Sequence, residues 1–71
     1  MIPIKDKTYK IHYIDEKDSS LSYIGKGIYT GDTEPDVDGS CLFLFAVENL
    51  LGRGFTDTAL FADKDIITPL D

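Results

Sequence analysis

Four carboxylates, Asp32, Glu34, Asp36 and Asp38, stand at alternate positions immediately ahead of Gly39. Alternating acids before a glycine are the pattern of a calcium loop, whose spaced oxygen ligands share one hard cation. Counted from Glu34, position 12 is Phe45, where such a loop needs a bidentate glutamate; counted from Asp32, no glycine falls at position 6. The stretch Asp32 to Gly39 therefore reads as a solvated acidic loop, with weak hard-cation binding by its four carboxylates as the alternative reading. Pro35 and Gly39 restrict and turn its backbone, so it projects a concentrated negative field from a firm base.

Nucleophilic chemistry has little to draw on. His12 is the sole histidine and Cys41 the sole cysteine. A thiol-imidazole pair needs a third group to orient the base, and none is evident. Cys41 heads an apolar run and reads as a small core residue. Gly25-Lys26-Gly27 has the look of a phosphate loop, but the Walker pattern ends in Lys-Ser/Thr and opens a helix, whereas Lys26 lies inside a strand pattern. No catalytic residue, metal site or cofactor is expected. Tyr9, Tyr13, Tyr23 and Tyr29 are a different matter: on one sheet face they would form either a sticky aromatic platform or the filling of the core. A domain this small must use its aromatics inside, which favours the core.

The elements that must position these groups are strands. Thr8 to Ile14 alternates Tyr9, Ile11 and Tyr13 with Lys10 and His12, the period of a half-buried strand. After the polar cluster Asp15 to Ser20, Leu21 to Thr30 resumes with aromatic and β-branched residues, and the two segments form a hairpin. Within the second, Tyr23, Gly25, Gly27 and Tyr29 share one face, and glycines at alternate positions let a sheet bend sharply. Cys41 to Val47 reads as a strand buried on both faces; a helix over 41–51, capped by Ser40 and ended by Gly52, is the competitor and would make the class α+β. Asn49 to Gly54 forms a glycine-hinged connection. Thr56 to Phe61 is a fourth strand, Ala62 to Asp65 a tight turn, and Ile66 to Thr68 a fifth strand that Pro69 keeps out of a sheet centre.

Composition narrows the function classes. Seventy-one residues make one domain, too small to enclose both a core and a deep substrate pocket. It is expected to fold alone or as a small homo-oligomer. A single cysteine excludes an intrachain disulfide and fits a reducing, cytoplasmic setting. No signal-peptide or membrane-spanning apolar run is present. The net charge of −6 is unevenly spread, with nine acids against two bases from Asp32 onward and five lysines against four acids before it. Such a balance repels nucleic-acid phosphates and anionic lipid, leaving Lys5, Lys7 and Lys10 as the one local basic patch.

The succession Tyr23-x-Gly25-x-Gly27-x-Tyr29-x-Gly31, then Leu42-x-Leu44-Phe45, then Leu60-Phe61 with an acidic turn and Asp65-Ile66-Ile67, resembles the layout of small SH3-like barrels over about two-thirds of the chain. The resemblance implies an all-β barrel of about five short strands, without the acidic-aromatic motifs of signalling SH3 domains or the basic surfaces of ribosomal relatives. Small acidic barrels of this kind also resemble products of phages and mobile elements. The expected function is a non-enzymatic interaction module that binds a basic protein through Asp32, Glu34, Asp36, Asp38 and Tyr29. A narrower version is an inhibitor whose carboxylates mimic nucleic-acid phosphates. The alternative is a nucleic-acid-associated barrel that uses Lys5, Lys7, Lys10 and exposed tyrosines for backbone contact and base stacking.

Overall fold

The computed structural model describes residues 2–49 and 52–69. Five strands run through them: β1 (Thr8–Tyr13), β2 (Tyr23–Pro35), β3 (Cys41–Val47), β4 (Asp57–Phe61) and β5 (Ile66–Pro69). They form one antiparallel sheet in the order β4-β3-β2-β1-β5, a meander of β1 to β4 with β5 returning to pair with β1. The only helical pieces among the described residues are two 3-10 turns, Ser19–Leu21 and Asp63–Asp65. The all-β class and the strand count match the expectation from sequence. Cys41 to Val47 is a strand, not the start of a helix; Leu50 and Leu51, at the far end of that competing reading, lie outside the described residues.

Period-two alternation sorts the side chains. Tyr9, Ile11, Tyr29, Phe43, Phe45, Val47, Phe61 and Ile66 are buried in one cluster, with Tyr13, Tyr23 and Ala59 packed half-buried against it. Phe45 is wholly enclosed, and its ring lies 6.0 Å from that of Tyr9, 5.4 Å from Tyr29 and 5.9 Å from Phe61. These contacts require a curled sheet. β1 and β4 are three strand spacings apart, roughly 14 Å if flat, yet the Tyr13 and Phe61 rings approach to 6.0 Å. Gly27 makes the curl possible, because a Cβ there would sit 3.0 Å from Phe45 Cδ2 and 3.2 Å from Ile11 Cγ1. The segment before β1 follows the same surface: Asp6 N–H donates to the Tyr29 carbonyl at 2.8 Å, and Ile4 N–H donates to the Tyr9 hydroxyl at 2.7 Å, so this buried tyrosine keeps a polar partner.

Several boundaries differ from the sequence reading, each for a local reason. β2 does not stop at Thr30 but continues to Pro35, so Asp32 and Glu34 lie on a strand. A bulge between Tyr29 and Thr33 lets it do so. Gly31 takes φ 96°, and the Thr30 hydroxyl donates to the Leu44 carbonyl at 2.8 Å, taking the place of a ladder bond. β3 is buried on one face only; its outward residues Leu42, Leu44 and Ala46 are half-buried, and Cys41 is exposed instead of lodged in the core, because it heads the strand next to the hairpin turn. The tight turn before β5 is a 3-10 turn, and Asp65 within it is buried, its Oδ2 accepting the Ala62 N–H at 3.1 Å. Pro69 pairs with Tyr9 from an edge strand, where its missing N–H costs little.

Truncating the central ring should outweigh adding one methyl beside it. Phe45→Ala is expected to lose about 3–5 kcal/mol, the usual range for a buried phenylalanine. Gly27→Ala, which overpacks the same spot, is expected to lose about 1–3 kcal/mol. Urea denaturation midpoints check both, and an unchanged midpoint for Phe45→Ala would place its ring outside the core.

Candidate protein-interaction surface

The acidic segment is an arm, not a free loop. Glu34 pairs with Leu42 and Pro35 with Cys41, and a short turn joins the two strands across Asp36 to Ser40. In that turn Gly39 N–H donates to the Asp36 carbonyl at 3.1 Å and Asp36 N–H to the Ser40 carbonyl at 2.8 Å, with Gly39 at φ 88°. This is a three-residue hairpin with a left-handed glycine at its end. Val37 at its tip is fully exposed.

The four carboxylates divide by role. Asp38 Oδ1 accepts from the Ser40 hydroxyl at 2.6 Å and from Ser40 N–H at 2.9 Å, and these bonds hold its carboxyl below the usual carboxylate value. Asp36 Oδ1 accepts the Val37 N–H at 2.7 Å. Both therefore shape the turn as well as charging it. Asp32 and Glu34 are exposed on β2, with side chains that no hydrogen bond of the turn requires. Beside the turn lies a shallow depression of about 530 Å³, lined by Asp36, Asp38 and Asp63 together with Cys41, Phe43 and Lys64. Three carboxylates against one ammonium leave this hollow negative on balance.

Tyr29, expected to present its ring beside these acids, does not. It is only 6% exposed, and its ring packs against Phe43 at 5.8 Å and Phe45 at 5.4 Å. Burial pushes its hydroxyl above the ordinary tyrosine value. Inward alternation puts Tyr29 on the same face as Tyr9, and both serve as core. Tyr13 and Tyr23 sit half-buried at one end, each against Phe61. A stacking platform of four exposed tyrosines is thus absent among the described residues. Lys5, Lys7 and Lys10 are exposed but do not form one patch: the Lys5 stem runs over Gly31, where a Cβ would meet its Cδ at 3.0 Å, and Lys10 faces Lys26 across the β1–β2 ladder.

Cys41 and His12 are not brought together. Their ladder partners on β2 are Pro35 and Ile24, at opposite ends of that strand. Among the described residues no group of three or more His, Cys, Asp or Glu side chains is arranged to hold a metal ion. Sequence reasoning missed a larger groove of about 720 Å³ along β4, where Tyr13, Leu21, Tyr23 and Phe61 face Asp57 and Asp65. Its one sequence signal was Leu21, an apolar residue next to a polar connection, which the 3-10 turn leaves exposed. That connection is ordered by Asp15, whose Oδ1 accepts from Lys17 N–H and Asp18 N–H, both at 2.9 Å, while its Oδ2 accepts from the Tyr13 hydroxyl at 2.9 Å.

No family model, curated protein or solved structure matches the chain. No helix among the described residues is long and apolar enough to cross a membrane.

The hydrogen-bonded acids make stability depend on pH. The Asp18 N–H, then the Tyr13 hydroxyl, hold Asp15 below the ordinary value; the Ser20 hydroxyl does the same for Asp18, and the Ser40 hydroxyl for Asp38. A carboxyl whose folded pKa is depressed contributes stability that is present above its unfolded value of about 3.9 and lost as pH falls through the lower folded value. The urea midpoint should therefore drop between about pH 5 and about pH 2. The triple variant Asp15→Asn, Asp18→Asn, Asp38→Asn, which removes the charges and keeps one acceptor oxygen at each position, should flatten that drop. An equally steep decline in the triple variant would assign the acid sensitivity elsewhere.

Proposed function

We propose that this chain is a non-enzymatic interaction module, built on a small SH3-like barrel, whose β2–β3 hairpin arm binds a basic partner protein. The observation that carries the reading is the gathering of Asp32, Glu34, Asp36 and Asp38 on one arm with the fully exposed Val37 at its tip. Opposed charge steers the encounter, and an apolar tip beside a depression negative on balance gives it a place to anchor. Val37 takes the anchoring role that the buried Tyr29 cannot fill. The barrel reading is supported by a meander whose fifth strand returns to the first, with a 3-10 turn just before it. The narrower reading, in which the carboxylates stand in for phosphates on a nucleic-acid-binding protein, rests on the same arm.

The test keeps the turn intact. Asp32→Asn, Glu34→Gln, Asp36→Asn and Asp38→Asn together remove four charges while leaving one acceptor oxygen at each position, the number that Asp36 and Asp38 use in the turn. With the unsubstituted chain as bait, a partner is captured from lysate and identified, and its association rate with both chains is followed as salt rises. The neutralised arm should associate on the order of tenfold more slowly at low ionic strength and with a flatter salt dependence. Equal rates and equal salt slopes would remove the arm from the interface. If the captured partner binds nucleic acid and a DNA duplex displaces the chain from it, the phosphate-mimicking version gains support.

A further inference from the structure

The outward face of the sheet is organised from end to end. Opposite pairing places Lys10 beside Lys26, His12 beside Ile24, Ile28 beside Ala46, Leu44 beside Leu60 and Glu34 beside Leu42. Read along β2 and β3, this face carries Lys10 and Lys26 at one end, with Glu48 beside them just past β3, is aliphatic through Ile28, Ala46, Leu44 and Leu60, and is acidic at Glu34. Leu44 lies at the middle, opposite the bulge where Thr30 bonds its carbonyl. Two features mark the face as unfinished. Like charges directly across a ladder destabilise it, and with Glu48 set against the Lys10–Lys26 pair one positive charge there is left for an anion from outside. An aliphatic centre bordered by charge is also the composition of an interface, not of an idle surface.

We propose that a second copy of this chain docks on the outward face, related by a two-fold axis passing close to Leu44. Such an axis reverses the strand direction. It lays Lys26 of each copy against Glu34 of the other and sets Leu44 and Leu60 against their own counterparts. A two-fold contact demands a self-complementary patch, and this face supplies both signs of charge at its two ends. A second copy fits better than an unrelated acidic protein because the complementary acid is already on the same face at the required end. Size permits it: the molecule measures 34 × 29 × 18 Å, so its broad side can supply the roughly 800 Å² per partner of a standard interface. The proposal goes beyond the partner-binding reading of the arm: the two share Glu34, but Asp36, Val37 and Asp38 lie in the turn past the paired residues and take no part in the contact between copies.

Sedimentation equilibrium of the purified chain, over a range of concentrations and at low and high salt, tests it without any partner. Twice the chain mass is expected at low salt, with dissociation as salt rises. Lys26→Glu and Glu34→Lys should each sediment as monomers, because each places like charges together at both ends of the contact. An equimolar mixture of these two variants should recover the doubled mass, since both cross-contacts then pair opposite charges. Both positions are exposed, and circular dichroism of each variant confirms that the fold is kept. A monomer for the unsubstituted chain at every concentration would overturn the proposal. So would a mixture that stays monomeric, and so would dimers that persist in both variants, which would point to pairing through a sheet edge. Capture of a basic protein by the arm is a separate measurement, so either reading can fail while the other stands.

Discussion

The enclosure of Phe45 is the constraint on which the rest depends. Its ring meets Tyr9, Tyr29 and Phe61 from three different strands. A chain of this size has few side chains with which to exclude water, and four aromatics sharing one point do most of that work. Their convergence forces the sheet to curl. The curl demands a residue without a side chain at Gly27 and a bulge around Gly31, where β2 changes course. Once the sheet is curled, the faces are assigned: aromatic rings inside, and charges, aliphatics and the acidic arm outside.

Much of this was legible from residue order. The alternation of Tyr9, Ile11 and Tyr13 with Lys10 and His12 located β1, and the tyrosine-glycine alternation located both β2 and its inward face. The choice of strand over helix for Cys41 to Val47 rested on aromatic content, and packing explains why it held: only a strand sends Phe43, Phe45 and Val47 to one side together. What was not legible came from tertiary contacts. Gly31 followed by acids looked like the end of a strand, because nothing local shows that the Thr30 hydroxyl will bond the Leu44 carbonyl and let pairing resume. Tyr29 and Cys41 were misjudged for related reasons. Alternation placed Tyr29 on a face, but that the face closes over it depends on β3, and Cys41 stays exposed because the ladder begins with it next to the turn. Burial of Asp65 has no signature in an acidic turn until its carboxylate is seen to accept the Ala62 N–H.

Charge is distributed with the same economy. The chain's −6 is not a uniform coat: carboxylates that shape turns, such as Asp15, Asp18 and Asp38, are tied to backbone donors, while Asp32 and Glu34 are left to the solvent. Lys10 and Lys26 gather on the outward face at the far end of β2 from the arm. Glu48, Asp15 and Asp18 lie near the same end, so the lysines there are partly offset, whereas the arm carries acids alone. Such an uneven charge distribution orients incoming partners before contact, over about 10 Å at moderate salt. The proposed attraction of the arm for a basic protein and the proposed pairing of two outward faces both draw on that distribution.

The most direct test of the inward aromatic arrangement is the ionisation of the tyrosines, which are the chain's only phenols and give a clean absorbance change in the absence of tryptophan. The Asp15 hydrogen bond raises Tyr13, and burial raises Tyr23 and Tyr29, above the ordinary tyrosine value. Spectrophotometric titration of the folded chain should show these three phenols ionising later than free tyrosine, whose pKa is about 10, and the same titration in denaturant should bring the three back to that value. Folded and denatured titrations that superimpose would contradict the account, since they would mean that Tyr29, placed against Phe45, stands in water and that Tyr13 does not bond Asp15.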